Sequence, residues 1–128
     1  MTMPAEQESP HVILGKMEIP YVTYVGQVAS KFFAELRDNQ RIVGIRCPGC
    51  NRVYALPRSV CGKCFRRLDE WVPLSGRGTV TSFTVMHYSE KVHPVEAPFV
   101  YAIIHLDGAD TGLVHILGET DLEEVRIG

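Results

Sequence analysis

The 128-residue sequence has no long hydrophobic run, no internal repeat and no low-complexity segment. Its longest apolar stretch, FVYAII with its tyrosine included, has six residues, whereas a membrane-spanning helix needs ~20. The first residues, MTMPAEQESPHVILGK, carry acidic residues and prolines where a secretory signal needs basic residues followed by an apolar stretch. We therefore expect one small globular domain in the cytoplasm, where thiols stay reduced.

Cysteine is absent everywhere except in one stretch, CPGCNRVYALPRSVCGKC. Its four cysteines, Cys47, Cys50, Cys61 and Cys64, form two Cys-x-x-Cys pairs ten residues apart, and each pair contains a glycine that permits a tight turn. Two such turns place four thiolates at the corners of a tetrahedron, the geometry of a closed structural zinc site. The spacing therefore predicts one structural zinc ion.

Three other interpretations of the cysteines stay open. Disulfides are disfavoured in the expected compartment, and thioredoxin-like redox chemistry lacks the βαβ pattern that normally surrounds it. Iron suits a tetrahedral four-sulfur site as well as zinc does.

The sequence lacks the usual catalytic arrangements. No Ser-His-Asp order, Gly-rich phosphate loop or second metal cluster is present. If all four thiols bind metal, no cysteine remains as a nucleophile, and a closed four-sulfur site leaves no open position for water. We predict no catalytic residue in this chain.

Basic residues are scarce except around the cysteines. Residues 41–77 carry eight basic and two acidic side chains (+6), whereas residues 78–128 carry two basic and eight acidic (−6). The eight are Arg41, Arg46, Arg52, Arg58, Lys63, Arg66, Arg67 and Arg77. They could neutralise the thiolates by donating to sulfur, follow a nucleic acid, or face a phosphorylated ligand or an acidic partner. The acidic second half and the lack of interleaved aromatics argue against nucleic acid.

The chain before the cysteines is divided into an arm and a helix. Residues 1–22 hold three prolines without periodicity, which predicts an extended arm. Residues 23–40 carry apolar residues at helical spacing, which predicts an amphipathic helix. Its stripe packs on the domain itself or docks on a partner. For the second alternative the predicted contacts are Val25, Phe32, Phe33 and Leu36.

The rest of the chain is typical of β-structure. RIVGIRC predicts a strand entering the first cysteine pair, NRVYALPRSV an excursion between the pairs, and LDEWVPL a strand leaving the second pair. Three more strands are predicted in GTVTSFTVMHY, FVYAIIHLDG and GLVHILGE. Residues 41–73 would form the ribbon and residues 74–128 the β segment, with Trp71 packed between them.

The order of these segments resembles a known family, the zinc-ribbon/OB-fold acyl-CoA-associated proteins (domain of unknown function thirty-five). The resemblance covers residues 22–128 and is carried by FFAELRDNQRIVGIRCPGC, YALPRSVCGKC, EWVPLSGRGTVTSFTV, APFVYAIIHLDGADTGLVHILGE and DLEEVRIG. It implies a mostly β fold with a rubredoxin-like zinc ribbon and an OB-like barrel. With only three predicted strands, against the usual five, the barrel is expected to be incomplete, and we expect a partner to cover its edge.

The same resemblance implies a function. Its members are similar in being accessory subunits of thiolases or acyl-CoA hydratases, with a barrel associated with acyl-CoA binding. We therefore expect a non-catalytic subunit that binds a thiolase-type catalytic partner and helps to position acyl-CoA or coenzyme A. One fitting case is the small subunit of benzoylsuccinyl-CoA thiolase. Arg66, Arg67 and Arg77 are the predicted contacts to coenzyme A phosphates. The alternatives are a nucleic-acid-binding zinc-ribbon/OB module and a scaffold without ligand.

Overall fold

The computed structural model describes residues 11–128, which form one helix and two three-stranded antiparallel sheets. The first ten residues of the predicted arm lie outside this range. The elements are α1 (Gly26–Asn39), β1 (Val43–Arg46), β2 (Val53–Tyr54), β3 (Glu70–Pro73), β4 (Gly78–Met86), β5 (Phe99–Leu106) and β6 (Gly112–Leu117).

Helix α1 begins at a residue with positive φ, and a second residue with positive φ directly follows its last residue. Gly26 has a φ of 81°, which glycine adopts without steric cost, and Gln40 ends the helix with a φ of 50°. The Gln40 N–H donates to the Glu35 carbonyl. The Glu35 carboxylate also accepts from Arg41 at 2.8 Å and from Asn39 at 3.1 Å. These contacts fix the exit of the helix toward β1.

The ribbon sheet has the order β2-β1-β3, with β1 in the centre. Ile45 of β1 pairs with Tyr54 on one side and Trp71 on the other. The apolar core of this sheet contains Ile45, Cys47, Tyr54, Cys61 and Leu68. Strands β1 and β3 were predicted, whereas β2 lies in NRVYALPRSV, the segment predicted to be an excursion between the cysteine pairs.

The second sheet is a meander in the order β4-β5-β6. Its register shifts between Val80 and Ser82, a β-bulge at which the Thr81 hydroxyl donates to the Ile103 carbonyl at 3.0 Å. The Gly128 N–H donates to the Val80 carbonyl at the same place. Three strands form an open sheet, which confirms the prediction of a mostly β protein with an incomplete OB-like barrel.

A second apolar cluster joins the ribbon to the meander. It contains Val53 and Ala55 from the ribbon with Leu106 at the end of β5 and Ala109 from the turn that follows. Hydrogen bonds reinforce it between β2 and the turn before β6. The Val53 N–H donates to the Asp110 carboxylate at 2.8 Å, the Asp110 N–H donates to the Val53 carbonyl at 2.8 Å, and the Ala55 N–H donates to the Thr111 hydroxyl at 2.9 Å.

Trp71 does not occupy the junction that was predicted for it. It packs on the ribbon core, and the ammonium of Lys31 in α1 lies 4.5 Å from the centroid of its ring. This difference has a physical reason: Trp71 lies on β3, the edge of the ribbon sheet next to the helix. The ribbon–meander junction is filled by smaller side chains instead.

Residues 11–24 precede the helix without regular secondary structure and are exposed along their whole length. No helix in residues 11–128 combines the length and the apolar character that crossing a membrane requires.

Candidate functional site

The two Cys-x-x-Cys pairs form equivalent turns. In the first, the Cys47 N–H donates to the Arg52 carbonyl and the Asn51 N–H donates to the Cys47 carbonyl, both at 2.9 Å. The second repeats this pattern with Cys61, Arg66 and Phe65, at 2.9 and 3.1 Å. Asn51 and Phe65, each directly after its pair, have φ values of 57° and 59°. We call these turns the first and second knuckles (residues 47–52 and 61–66).

The knuckles bring the four sulfur atoms together. The Sγ atoms of Cys47 and Cys64 lie 3.3 Å apart, those of Cys50 and Cys61 lie 3.6 Å apart, and all four lie within 4.8 Å of one another. Four sulfurs bound to one zinc at ~2.3 Å are separated by about 3.8 Å. These separations are far too long for disulfide bonds, which measure ~2.05 Å. The cluster has the size and chemistry of a zinc site.

Tyr54 supports the metal site from β2. Its buried hydroxyl lies 3.3 Å from the Sγ of Cys61 and accepts a hydrogen bond from the Gly62 N–H at 2.9 Å. When Cys61 is a thiolate it has no hydrogen to give, so the hydroxyl is the donor and the sulfur accepts. This hydrogen bond is the largest of the effects that lower the pKa of Cys61 to about 5. Hydrogen bonding to sulfur and burial raise the pKa of Tyr54 itself, so the tyrosine stays a donor.

Two of the four thiols, Cys50 and Cys64, have raised pKa values in the absence of a cation. The backbone N–H of Arg66 lowers the pKa of Cys64, but hydrogen bonding with Cys47 and burial outweigh it and raise the value to about 11. The pKa of Cys50 is also raised, by burial and by hydrogen bonding with Cys47 and Cys61, although the backbone N–H of Arg52 opposes this. A divalent ion removes this conflict because it holds four thiolates at once.

The basic residues around the site have several different neighbours. Arg41 pairs with Glu35 at 2.8 Å and Arg46 pairs with Glu70 at 3.1 Å. The sulfurs accept hydrogen bonds from Tyr54 and from the backbone N–H of Lys63. Within residues 11–128, no arginine side chain donates a hydrogen bond to a cysteine sulfur. Direct neutralisation of the sulfurs therefore does not account for the basic cluster.

The three arginines predicted to contact coenzyme A are all exposed and lie in three places. The side chain of Arg66 covers Gly49 of the first knuckle. Arg67 forms a β-bridge with Val60 and lines a cleft beside the start of α1. The third, Arg77, lies in the turn before β4. Their role as phosphate contacts stays a prediction.

The four residues predicted to contact a partner divide into two groups. Phe32 is only 6% exposed and packs within the domain. Val25, Phe33 and Leu36 are 54%, 53% and 41% exposed and line a groove of about 520 Å³. We call these three residues the outer helix face. Their contact with a partner stays a prediction.

The described residues before the helix, 11–24, add apolar surface that the sequence analysis missed, and we use the name arm for these residues from here on. Eight large apolar side chains in residues 11–24 are each more than two-thirds exposed. They are Val12, Ile13, Leu14, Met17, Ile19, Tyr21, Val22 and Tyr24. The apolar residues of VILGKMEIPYVTY do signal this surface, but they follow neither a helical nor a strand period.

Two family models match the chain, and together they cover residues 34–128. The rubredoxin-like zinc ribbon domain of ChsH2 matches residues 34–70, and the C-terminal OB-fold domain of ChsH2 matches residues 71–128. The model of the ribbon and the clustered sulfurs together confirm the prediction of a ribbon that binds one zinc ion.

One curated protein is similar in sequence. A DUF35 domain-containing scaffold protein from Methanocaldococcus jannaschii is 37% identical over 73 residues, which are 56% of this chain. The matched region spans about half of that protein, 52% of its length.

Two solved structures are similar over most of their length. One is a chain of the Ltp2-ChsH2(DUF35) aldolase, with a TM-score of 0.66 and 28% identity over 84% of this chain and 82% of that one. The other is a DUF35 protein of unknown function from Sulfolobus solfataricus, with a TM-score of 0.60 and 26% identity over 77% and 71%. The chain belongs to the ChsH2/DUF35 family of proteins that combine a zinc ribbon with an OB-fold domain.

Proposed function

We propose that this protein is a non-catalytic accessory subunit of a thiolase-type acyl-CoA complex. It binds the catalytic subunit through its N-terminal surface and helps to position acyl-CoA or coenzyme A. The reaction of the complex would be thiolytic cleavage or Claisen condensation of a 3-oxoacyl-CoA, with the catalytic cysteine supplied by the partner. Benzoylsuccinyl-CoA is one candidate substrate.

The observation that carries this proposal is the exposed apolar surface of the arm and the outer helix face. Single exposed apolar residues are ordinary, but a contiguous apolar patch on a soluble protein marks an interaction site. Here eleven large apolar side chains are exposed within residues 11–36: eight in residues 11–24, Val25 directly before α1, and Phe33 and Leu36 on the helix. Burying such side chains stabilises a complex by ~25 cal/mol per Å² of apolar surface.

The relatives support an enzyme as the partner. One similar structure is a complex of a ChsH2 chain with the Ltp2 aldolase, and one similar protein is named a scaffold. Both names fit a chain whose four thiols lie together in a metal-binding cluster and which exposes large apolar side chains in residues 11–36.

Co-expression with a thiolase-type enzyme from the same organism tests the proposal. We expect the two chains to co-purify in a fixed ratio, and the ratio to fall sharply when Val25, Phe33 and Leu36 are replaced by serine. A matched control replaces three exposed apolar side chains in the loop between β4 and β5, Tyr88, Val92 and Val95. Retention of the complex by the helix variant, or its loss in the control variant, contradicts docking at this face.

The catalytic assignment has its own test. The isolated chain should turn over no acyl-CoA, whereas the co-purified complex should cleave a 3-oxoacyl-CoA in the presence of coenzyme A. Benzoylsuccinyl-CoA and acetoacetyl-CoA can be compared as substrates. Turnover by the isolated chain contradicts an accessory role, and an active complex with an aldolase but not a thiolase contradicts the thiolase assignment.

A further inference from the structure

A cleft of about 550 Å³ lies between the second knuckle and the meander. Its volume falls in the range of small-molecule sites, ~300–1,000 Å³. The wall on the ribbon side is formed by β2, the loop that follows it, and the second knuckle. The opposite wall is formed by Thr111, which directly precedes β6, and by Gly112, the first residue of that strand. The lining residues are Arg52, Tyr54, Leu56, Pro57, Arg58, Gly62, Lys63, Thr111 and Gly112.

Three cationic side chains face this cleft: Arg52, Arg58 and Lys63. Among the described residues, none of the three takes part in an ion pair, in contrast to Arg41 and Arg46. Three like charges at one cleft repel one another, and an anion bound between them would relieve that repulsion.

The two arginines are held in place by an aromatic ring. Their guanidinium carbons lie 5.8 Å (Arg52) and 5.4 Å (Arg58) from the centroid of the buried Tyr54 ring. Stacking on an aromatic face leaves the planar fork of an arginine able to bind an anion through two N–H groups. The Arg58 guanidinium also lies beside Gly62 of the second knuckle. The Tyr54 ring and the second knuckle thus fix the positions of the two arginines.

The other contacts of the cleft indicate which anion fits. The Thr111 hydroxyl accepts from the Ala55 N–H, so its own hydrogen is free to donate into the cleft. Leu56 and Pro57 add an apolar rim. Asp110 is the acidic neighbour, and its carboxylate accepts from the Val53 N–H at the adjoining cleft that Arg52 and Lys63 also line. Three cations with one hydroxyl suit a doubly charged group larger than a carboxylate, and an apolar rim suits an organic extension.

We propose that this cleft binds the diphosphate group of an organic phosphate of the coenzyme A class, through Arg52, Arg58 and Lys63. The inference rests on the acyl-CoA half of the proposed function and moves the phosphate contacts away from Arg66, Arg67 and Arg77. Arginine binds phosphate oxygens bidentately, and lysine adds a point charge. The ligand then lies across the junction of the ribbon and the meander.

Two triple variants of equal charge test the assignment. One replaces Arg52, Arg58 and Lys63 with glutamine, and the other replaces Arg66, Arg67 and Arg77. Calorimetric titration of the full chain, alone and in its co-purified complex, uses coenzyme A, desulfo-coenzyme A and inorganic pyrophosphate. We expect the first variant to bind coenzyme A about 1,000-fold more weakly, because three contacts to charged groups are lost and each changes affinity ~10-fold.

The second variant should bind as the wild type does, and pyrophosphate should compete with coenzyme A. The reverse pattern, with binding lost only in the second variant, overturns the cleft assignment and leaves the proposed function intact. No binding of coenzyme A to the wild-type chain or complex overturns both the ligand half of the proposed function and this inference. Tighter binding of a ten-nucleotide single strand than of coenzyme A, lost in the first variant, overturns the small-molecule assignment.

A measurement on the unaltered chain covers the case in which the first variant loses zinc. Lys63 and Lys91 are both exposed, and Lys91 lies in the loop between β4 and β5. Saturating desulfo-coenzyme A, which has no thiol to consume the reagent, should slow the acetylation of Lys63 by an amine-reactive ester several-fold and leave the rate at Lys91 unchanged. Equal rates at Lys63 with and without this ligand, under conditions where it is bound, overturn the assignment.

Discussion

Replacing Tyr54 with phenylalanine removes one oxygen atom from the wall of the metal centre and leaves the ring in the ribbon core. The hydroxyl donates toward the Sγ of Cys61 at 3.3 Å and accepts from the Gly62 N–H at 2.9 Å. Gly62 is exposed, so water can replace the lost acceptor there. The sulfur has no such substitute because Cys61 is fully buried.

The size of the effect follows from the lost hydrogen bond to a charged atom. Such a bond contributes ~1.5–3 kcal/mol, and 1.4 kcal/mol corresponds to a factor of about 10 in affinity. Removing a residue that orients a metal ligand typically costs 10–100-fold in metal affinity, about the same amount. We therefore expect Tyr54→Phe to weaken zinc binding by about 30-fold.

The effect should also depend on pH. The pKa of Cys61 is lowered to about 5, chiefly by this hydroxyl, from ~8.5 in an unfolded chain. A lowered thiol pKa contributes stability that is present above the unfolded value and is lost as the pH falls through the folded value. Without the hydroxyl the pKa of Cys61 rises, so acid should release zinc from the variant at a higher pH.

Competition with a chromophoric chelator between pH 4 and 8 measures both quantities. Tyr88→Phe is the matched control because Tyr88 is 63% exposed in the loop after β4. The control should behave as the wild type does. An unchanged zinc affinity and an unchanged acid midpoint in Tyr54→Phe would refute the role assigned to this hydroxyl.

Three further predictions concern the metal, the junction and the second knuckle. Cys64→Ser should abolish zinc binding and unfold the ribbon, since binding free energy at such sites is largely folding free energy; one zinc per chain in this variant, measured by mass spectrometry, contradicts the four-sulfur site. Asp110→Ala should lower the free energy of unfolding by ~1–3 kcal/mol because the buried Val53 N–H loses its acceptor. The control, Asp107→Ala, should change the free energy of unfolding by less than about 0.5 kcal/mol. Equal effects of the two substitutions in denaturant titrations argue against the junction contact. Phe65→Asn should raise the free energy of unfolding by ~1 kcal/mol, because asparagine tolerates the backbone conformation of this residue better. Phe65 has a φ of 59° and is 79% exposed. A lower thermal midpoint in the variant would show that the contacts of the Phe65 ring stabilise the fold by more than the strained backbone of Phe65 destabilises it.

Most of the regular elements could be predicted from local sequence. The helix follows from apolar residues at a period of 3.6, and β4, β5 and β6 follow from apolar and β-branched runs between turns. The zinc site could be predicted completely because each pair of ligands is separated by two residues, and a tight turn suffices to bring them together.

The parts that could not be predicted depend on distant contacts. Strand β2 is only two residues long, Val53 and Tyr54, and it exists because it pairs with β1 and exchanges hydrogen bonds with the turn before β6. Asp110 meets the Val53 N–H across 57 positions of sequence. No periodicity or spacing encodes such a contact.

Which apolar residues of the helix are buried and which are exposed could not be predicted from the sequence either. Phe32 and Phe33 are neighbours on the same apolar helix, and their rings lie edge to face with centroids 5.4 Å apart. Phe32 is buried and Phe33 is half-exposed. Adjacent residues are ~100° apart around a helix, so the position of the ribbon decides which ring is covered. That position is a property of the folded chain.

The exposed arm is the feature on which the proposed function depends most. Amide hydrogen exchange of residues 11–24, in the isolated chain and in its complex with a thiolase-type enzyme, tests it most directly. The arm has no regular secondary structure, so its amides should exchange at nearly unprotected rates in the isolated chain. In the complex we predict that these amides slow by at least tenfold, while those of the loop between β4 and β5 keep their rates. Unchanged exchange of the arm in a stable, active complex would contradict the claim that this surface binds the catalytic partner.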